Sequence, residues 1–310
     1  MVAMSPPIGF VILSHLELDQ LERLISALNC TYDEPPIAVH HDFYQSNIDI
    51  SRLNGNIHFV QRSLKTHWAH INIVRAAIAA LRLLYDKHAP DWFTILSAAD
   101  YPIMPGRNVV QELRQGPFDL YLDYQLAERN PTEKPHAYKS RMETGQKRWA
   151  PLAYDRYVAK TIRYPSFTKR LRPIRRKFLI RNETLLRPFV PYSPDWKCYG
   201  GEFWHTGNSK VAEILLTETS NSRKTIDHLH DRFAPEESFF QTILCNRPDL
   251  RICGDNKRYT DWLGQHEHPK VLEITDLNSI LESKCYFARK FSARRPSQIL
   301  DELDRITRIG

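Results

Sequence analysis

Two adjacent glutamates, Glu236 and Glu237, could supply a general base. They follow Pro235, a residue favoured at the first position of a helix, and acids in a first helical turn interact favourably with the helix dipole. The same dipole keeps a carboxylate ionised at neutral pH, as a base that takes a proton from a hydroxyl must be. Two equivalent first-turn acids that merely stabilise a helix would show the same pattern, and the sequence alone does not separate the two interpretations.

Two adjacent cations, Arg289 and Lys290, lie between Phe287 and Phe291 near the C-terminus. Two fixed cations can stabilise the negative charge that grows on a departing diphosphate, because charge-assisted hydrogen bonds to phosphate oxygens are strong. A solvent-exposed basic edge is the alternative explanation of the same residues.

Asp100 comes shortly after an apolar run at residues 92–96 that predicts a buried strand, with three small residues between them. In open α/β sheets, ligands bind beyond the carboxyl ends of the strands, so Asp100 could contact a sugar or a nucleotide. An ordinary strand-to-turn junction, in which the aspartate accepts hydrogen bonds from backbone amides ahead of Pro102, predicts the same pattern.

The common nucleotide and metal motifs are missing from the sequence. It has no GxGxxG, no GxxxxGK[ST], no HExxH, no close DxD pair and only 11 glycines. His40, His41 and Asp42 could imitate a metal site, but adjacent side chains on a strand point to opposite faces, so only one histidine could join Asp42. The five cysteines are scattered and form no CxxC pair, which argues against a disulfide framework and a structural zinc site. We therefore predict no metal ion and no cofactor.

Composition is ordinary for a soluble globular protein, with 42% hydrophobic and 25% charged residues. No apolar run approaches the roughly 18 residues that a membrane-spanning helix needs, and no signal-peptide pattern is present, so we expect a cytoplasmic protein. The net charge of +7 is unevenly distributed. Residues 139–187 hold 15 Lys and Arg against 3 Asp and Glu, a balance of +12, so the rest of the chain carries −5.

Strand and helix patterns alternate over the first half of the chain, which predicts a mostly parallel sheet covered by helices on both faces. Between residues 125 and 192, seven prolines break any long helix, and we predict an irregular basic insertion there. Strands are predicted at 7–14, 37–41, 57–60, 92–96, 118–124 and 202–205, and helices at 19–28, 68–86, 108–114, 209–219, 235–245 and 296–306.

Seven segments of the sequence, taken together and in chain order, carry a resemblance to a known family. They are VHHD (39–42), THW (66–68), WFTILSAADYPI (92–103), GGEFW (200–204), APEESFFQTILCN (234–246), KRYTDW (257–262) and YFARKF (286–291). These segments resemble the core-2/I-branching glycosyltransferases, and within that family the peptide O-xylosyltransferase branch. The residues between 125 and 192 match this family poorly, and acceptor choice would be decided there.

The resemblance implies a single GT-A-like α/β domain over residues 1–310. Residues 1–124 would form its nucleotide-binding half, 125–192 a variable basic insertion, and 193–310 its acceptor and catalytic half. The implied reaction is the inverting, metal-independent transfer of xylose or N-acetylglucosamine from a UDP-sugar to a hydroxyl of a glycan, lipid-linked or protein acceptor.

The resemblance also assigns roles to individual residues. Glu237 matches the catalytic base, and Glu202 and Trp204 lie at positions near the sugar or acceptor. The residues implied to bind the nucleotide-sugar are Asp42, Thr66, Trp68, Asp100, Arg258, Arg289 and Lys290.

The basic segment leaves an alternative function open. The protein could bind a membrane surface or a nucleic acid and have a glycosyltransferase fold that is catalytically inactive. Residues 168–181 could dock on an anionic membrane surface, which would place the protein at the inner face of the membrane and is compatible with transferase activity. Tyr154, Tyr157 and Tyr164 interleave with cations, as in some nucleic-acid-binding segments. No nucleic-acid-binding module is recognisable, so we do not expect a nucleic-acid partner.

Overall fold

The computed structural model describes residues 5–15, 18–53, 55–128, 154–167, 173–263, 268–292 and 298–308. Strands and helices alternate over the first three of these segments, which together reach residue 128, as the sequence pattern predicts. The elements up to residue 128 are β1 (Gly9–Ser14), α1 (Leu18–Tyr32), β2 (Ile37–His41), β3 (Ile57–Phe59), α2 (Asn72–Lys87), β4 (Trp92–Ser97), β5 (Asp100–Pro102), α3 (Gly106–Gln115), β6 (Leu120–Leu122) and β7 (Gln125–Leu126).

The second half of the chain contributes the remaining elements, and its helical turns include a π-helical turn at Tyr154–Val158 and a 3₁₀ turn at Pro235–Glu237. Its elements are β8 (Lys160–Phe167), β9 (Pro173–Ile180), α4 (Glu183–Leu186), β10 (Tyr199–Gly200), β11 (His205–Asn208), α5 (Ser209–Leu216), α6 (Ser220–Leu229), α7 (Phe239–Cys245), β12 (Ile252–Cys253), β13 (Arg258–Thr260), α8 (Leu277–Glu282), β14 (Phe287–Arg289) and α9 (Gln298–Arg308).

A seven-stranded sheet in the order β12-β6-β11-β4-β1-β2-β3 forms the centre of the protein. The pairs among β3, β2, β1 and β4 are parallel, as is β12 with β6, and β11 runs antiparallel to both of its neighbours. The predicted fold class, a mostly parallel sheet flanked by helices and consistent with a GT-A-like fold, is confirmed.

Helices cover both faces of this sheet because the side chains of each central strand alternate between two apolar clusters. Phe10 of β1 packs in a cluster with α1, α3 and α9. Its neighbour Val11 packs on the opposite face in a cluster with α2, α5 and α7. Both side chains are fully buried. With its core on both sides, the sheet is a rigid support for the loops at its edge.

Two smaller sheets lie beside the central one. β13, β14 and β5 form a three-stranded sheet, parallel between β13 and β14 and antiparallel between β14 and β5. Within residues 125–192, β8 and β9 pair as an antiparallel hairpin over eight residues, regular structure that the prolines there did not predict.

Two predicted helices differ from the structure. The predicted helix at 235–245 is interrupted at Ser238, whose φ is −133° and whose hydroxyl donates to the carbonyl of Tyr199 at 2.8 Å. A 3₁₀ turn therefore precedes α7. The predicted helix at 68–86 begins only at Asn72, because Ala69 has a left-handed backbone (φ 60°) that a helix cannot include.

The strand predicted at 202–205 is also displaced, since β11 begins at His205. The amide of Glu202 donates to the Asp123 carboxylate at 3.3 Å, and the carbonyl of Glu202 accepts from the Gln241 side chain at 2.7 Å. Side chains thus satisfy the backbone of this segment, so residues 201–204 form a loop beside the sheet.

Candidate functional site

Three of the predicted site residues meet on the small sheet of β5, β13 and β14. Asp100 on β5 is directly opposite Arg289 on β14, and Arg258 begins β13. Asp100 is fully buried, and its Oδ2 accepts hydrogen bonds from Arg258 Nη1 and from the Ser97 amide, both at 2.6 Å. Arg289 Nε lies 3.4 Å from Oδ1 of the same carboxylate. The three-stranded sheet therefore brings two cations to one buried acid, Arg258 at Oδ2 and Arg289 at Oδ1.

Arg258 is the more deeply buried of the two arginines. Only 1% of its side chain is exposed, and Nη2 donates to the carbonyl of Ile95 at 3.0 Å. Burial lowers the pKa of Arg258, and the neighbouring Asp100 opposes that effect. The structure thus places Arg258 behind Asp100 as a brace within the protein, and a direct contact with the diphosphate stays a prediction.

Arg289 and Lys290 are more accessible. The Arg289 side chain is 18% exposed, and its guanidinium lies 4.4 Å from the centre of the Trp204 ring, a cation–π contact. Lys290 is half-buried, and desolvation followed by the charge of Arg289 lowers its pKa. Asp100 neutralises only part of the charge of Arg258, Arg289 and Lys290, and we call these four residues the cation cluster.

The ends of the central strands lie next to this cluster. The amide of Phe291, the residue after Lys290, donates to the carbonyl of Ala99 at 2.9 Å. The amide of Ala98 donates to the carbonyl of Leu13, and the amide of Asp42 donates to the carbonyl of Ser14. These bonds place the predicted nucleotide residues after β2 at the same edge of the sheet as the cations.

Asp42 holds the segment after β3 in place. Its carboxylate accepts hydrogen bonds from Thr66 N at 2.6 Å, Thr66 Oγ1 at 2.8 Å, Gln45 Nε2 at 2.6 Å and Tyr44 N at 3.0 Å. Burial by itself would raise the pKa of Asp42, but these bonds outweigh it and lower the pKa to about 2. Asp42 and Thr66 thus satisfy each other, and their contact with a nucleotide stays a prediction.

Trp68, two residues beyond Thr66, is 55% exposed. Its ring meets the rings of Phe233 and His268 edge-on, with centroids 5.1 Å and 6.4 Å away. An exposed indole next to Phe233, which is itself 48% exposed, offers an apolar surface on which a base or a sugar ring could stack.

Glu237 is the partly exposed acid at the other end of the site, with 21% of its side chain accessible. Its Oε2 accepts hydrogen bonds from Arg156 Nη1 and from the Tyr157 hydroxyl, the latter at 3.1 Å. Its backbone carbonyl accepts from the Gly201 amide at 2.7 Å. We call Glu237, Arg156 and Tyr157 the acid cluster.

Glu236 differs from Glu237 in its surroundings, although the sequence pattern treats the two acids alike. Glu236 is 7% exposed, and its Oε2 has no hydrogen-bond partner in the part of the chain that the structure describes. Burial, and then the charge of Glu237, raises the pKa of Glu236 to about 8. Glu236 is therefore a neutral acid at pH 7, because the 3₁₀ turn points one glutamate inwards and leaves the next one accessible.

Residues 201–204 connect the two clusters. Gly201 binds the backbone of Glu237, Glu202 Oε2 accepts from Asn256 Nδ2 at 2.8 Å, and Trp204 covers Arg289. Only glycine fits at position 201, since a Cβ there would lie 2.0 Å from the carbonyl oxygen of Asp123. The loop therefore spans from the candidate base to the candidate diphosphate cations, with Glu202 between them.

Sequence reasoning missed Arg156, Tyr157, Asp123 and Asn256. Arg156 and Tyr157 lie in the insertion, where the cations suggested a surface function. Asp123 is the last residue but one of the strand predicted at 118–124, and in the structure it directly follows β6. An acid near a strand end also drew attention to Asp100, and this signal could have found Asp123.

The ring nitrogens of His40 and His41 form hydrogen bonds to other groups of the protein. His40 Nε2 accepts from the Leu64 amide at 2.9 Å, and His41 contacts the Ser14 hydroxyl and the Ser46 carbonyl. Among the residues that the structure describes, no group of three or more His, Cys, Asp or Glu side chains could hold a metal ion.

The membrane hypothesis falls partly on residues that the structure does not describe. Of the basic stretch 168–181, residues 168–172 lie outside the described residues, and most of the others form β9. No helix in the described part of the chain is both long and apolar enough to cross a membrane.

The model of one protein family, Core-2/I-Branching enzyme, matches residues 8–281. Beta-glucuronosyltransferase GlcAT14A of Arabidopsis thaliana is 26% identical over 267 residues, which cover 84% of this chain and 53% of the relative. Xylosyltransferase 1 of Canis lupus familiaris is 24% identical over 332 residues, which cover 98% of this chain and 31% of the relative. The chain thus spans about half the length of the plant relative and about a third of the length of the canine one.

Two solved structures overlap weakly with the chain, both at a TM-score of 0.32. One is a 4-diphosphocytidyl-2C-methyl-D-erythritol synthase from Anaerococcus prevotii, 9% identical, with 89% of this chain and 96% of that chain covered. The other is a putative glucose-1-phosphate thymidylyltransferase from Bacillus anthracis, 12% identical, with 97% and 95% covered.

Proposed function

The chain belongs to the Core-2/I-Branching enzyme family, and from this premise we propose that it is an inverting glycosyltransferase. It would move a sugar from a UDP-sugar to a hydroxyl group of an acceptor without a divalent metal ion. The observation that carries the proposal is the loop at residues 201–204, which contacts Glu237, an acid suited to proton abstraction, at one end and Arg289, the first of two adjacent cations, at the other.

The cation cluster would receive the diphosphate. Arg289 and Lys290 are adjacent, partly accessible and held by β14, and Asp100 and Arg258 fix the strand behind them. Fixed cations stabilise charge that develops on a leaving group without any reorganisation during the reaction. In this proposal they supply the positive charge that a divalent ion provides in many enzymes acting on nucleoside diphosphates.

Glu237 would act as the base. It takes the proton from the acceptor hydroxyl while the acceptor oxygen attacks the anomeric carbon of the sugar from the face opposite the diphosphate. The bond between the anomeric carbon and the diphosphate oxygen breaks, and UDP departs with its electron pair and an additional negative charge. One such displacement inverts the configuration at the anomeric carbon.

The transferred sugar would lie beside the loop at 201–204, within reach of Glu202 and Trp204. Candidate donors are UDP-xylose and UDP-N-acetylglucosamine, as the sequence resemblance implies, and UDP-glucuronic acid, which the name of the plant relative adds. A glycan, a protein or a lipid-linked molecule is the proposed acceptor. A membrane surface at the basic segment is compatible with each of these acceptors.

A panel of nucleotide-sugars tests the proposal. Thermal unfolding is measured with the three UDP-sugars, UDP and, as the control nucleotide, GDP-mannose, each with and without EDTA. We expect UDP and at least one UDP-sugar to raise the melting temperature equally in both conditions, since a ligand at 100 times its Kd stabilises by about 2.7 kcal/mol. The anomeric configuration of the transfer product, read by NMR, should be opposite to that of the donor.

Two outcomes would contradict the proposal. If neither UDP nor any UDP-sugar changes the melting temperature, the donor class is wrong. If EDTA removes the stabilisation and Mn²⁺ restores it, the reaction depends on a metal ion and the role given to the cation cluster is wrong.

A further inference from the structure

Two residues of the basic insertion contact the candidate base. Arg156 Nη1 and the Tyr157 hydroxyl both donate to Oε2 of Glu237. The Arg156 side chain is 11% exposed, so this ion pair is largely withdrawn from water. No residue that the structure describes donates a hydrogen bond to the other carboxylate oxygen, Oε1. Among the described residues, those that bind the Glu237 side chain hold Oε2, and Oε1 is the oxygen that an acceptor would use.

The segment that carries these two residues is firmly attached. The Tyr157 hydroxyl also lies 2.9 Å from the Ala234 carbonyl, so its single proton is shared between this carbonyl and Oε2 of Glu237. The Tyr157 carbonyl accepts from His228 Nε2 at 2.7 Å. Arg232 Nη1 donates to the Ala159 carbonyl at 2.6 Å. Burial raises the pKa of Tyr157 well above its usual value, so its hydroxyl keeps the proton that it donates.

Aromatic rings fix the guanidinium of Arg156. Its Cζ atom lies 5.1 Å from the centre of the Phe233 ring and 5.8 Å from that of the Tyr157 ring. Phe233 in turn contacts Trp68 edge-on. A guanidinium stacked in this way loses little further freedom when it binds a carboxylate, so it can hold Glu237 in one rotamer.

We propose that Arg156 and Tyr157 are positioning residues for Glu237. By binding Oε2, they orient the carboxylate so that Oε1 accepts the proton of the acceptor hydroxyl. This inference rests on the proposed function and extends it, because it assigns part of the catalytic geometry to the basic insertion, the segment that the sequence resemblance matches poorly. The insertion then sets the position of the base as well as the surroundings of the acceptor.

Four variants test the proposal: Arg156→Met, Arg156→Lys, Tyr157→Phe and, as the matched control, Arg181→Met. Arg181 lies in the same basic segment and pairs with Asp155, and no contact between Arg181 and Glu237 is observed. The assay follows release of UDP from the UDP-sugar that stabilises the protein best, with water as the acceptor. UDP binding, measured by calorimetry, reports whether each variant is folded and binds the donor.

We expect Arg156→Met to lower kcat about 10- to 100-fold with the donor KM and the UDP affinity unchanged, because a small misplacement of a reacting group is costly. Arg156→Lys should recover most of the rate, since only one nitrogen of the guanidinium contacts Glu237. Tyr157→Phe should show a smaller loss, and Arg181→Met should behave as the wild type.

Other results would contradict either the proposed function or the positioning role of Arg156 and Tyr157. If the wild type releases no UDP from any UDP-sugar, the proposed function fails and the positioning role fails with it. If the wild type is active and Arg156→Met retains its kcat, the proposed function stands and the positioning role is wrong. Equal losses in the Met and Lys variants would show that a cation bound to Oε2 does not set the rate. A matching loss in Arg181→Met would show that the net charge or the stability of the segment accounts for the effect.

Discussion

The cation cluster is built from neighbouring strands, whereas the acid cluster is assembled from segments far apart in the chain. Asp100, Arg258 and Arg289 lie on three paired strands, so backbone hydrogen bonds set their spacing. Glu237 and Arg156 are 81 residues apart, and only side-chain contacts bring them together. The diphosphate end of the site is thus part of the sheet, and the acid end depends on how the insertion docks.

The two ends of the site also differ in whether the buried acid has a cationic partner. At the cation cluster the buried acid, Asp100, is paired with two arginines. Beside the acid cluster, the buried acid is Glu236, whose Oε2 has no hydrogen-bond partner among the described residues and whose pKa is raised by burial. The accessible acid, Glu237, is the one that pairs with a cation, Arg156. A buried ionised pair resists rearrangement, because breaking it leaves an uncompensated charge. We therefore expect the two ends to respond differently to substitution.

The largest expected effect is on turnover at the acid cluster. Glu237→Gln keeps the shape of the side chain but removes its ability to accept a proton, so transfer should fall roughly 10²–10⁴-fold. UDP affinity should be nearly unchanged, because the proposed base contacts the acceptor hydroxyl. Initial rates and UDP calorimetry measure the two quantities.

Glu218→Gln is the control for this substitution, since Glu218 is exposed and paired with Arg223 on the surface. It should leave both rate and affinity unaltered. Near-normal transfer by Glu237→Gln would show that the acid cluster has no catalytic role. The two clusters could then not be compared as the two ends of one active site.

The next largest effect is on stability at the cation cluster. Asp100→Asn leaves Arg258 buried without a counter-charge, and breaking a buried pair in this way typically costs roughly 3–5 kcal/mol. We expect the urea midpoint of unfolding to fall accordingly. Arg156→Met, at the acid cluster, should lower the midpoint much less, and equal losses at the two sites would contradict the distinction between a sheet-built and a docked cluster.

UDP binding should depend on the cation cluster, through contacts of Arg289 with the diphosphate. Arg289→Ala should weaken UDP by roughly 1.5–3 kcal/mol, the range for a hydrogen bond to a charged group, and should leave uridine binding almost unchanged. Titration of both ligands by calorimetry tests this. If UDP and uridine weakened equally, Arg289 would not contact the diphosphate.

The smallest expected effect concerns pH and Glu236. Its pKa is about 8 when folded and about 4.5 when unfolded, so the folded state keeps a proton that the unfolded chain loses between these values. The stability from burying the neutral acid is complete below about pH 4.5 and is lost as the pH rises towards 8. Glu236→Gln cannot ionise, so it should gain roughly 1–2 kcal/mol relative to the wild type between pH 6 and pH 8.

Urea unfolding of both proteins at the two pH values measures this gain. The difference between the two proteins cancels the contributions of other titrating groups, including the buried histidines. A difference that stays constant with pH would mean that Glu236 is ionised in the folded protein, and the two acids would then be more alike than the structure indicates.

Much of the fold could be predicted because its signals are local. The bounds of β2 are those predicted, 37–41. Both ends of α3 and of β4 lie within two residues of the predicted ranges, 108–114 and 92–96. The cation pair at 289–290 and the strand-end acid at 100 were also found, because each occupies a recognisable position in its own segment. The broken helix at Ser238 was not, since the bond that interrupts it is made to Tyr199, 39 residues away.

By itself, the sequence determined the alternation of strands and helices and the chemical types available at the site, since apolar periodicity and residue identity are properties of short segments. Only the tertiary structure decided which of two adjacent glutamates is buried, which cation braces Asp100, and which insertion residues hold Glu237. The physical reason is that desolvation and pairing depend on neighbours from distant segments. A carboxylate has its usual acidity in water, and the fold alone decides whether burial or an arginine changes it.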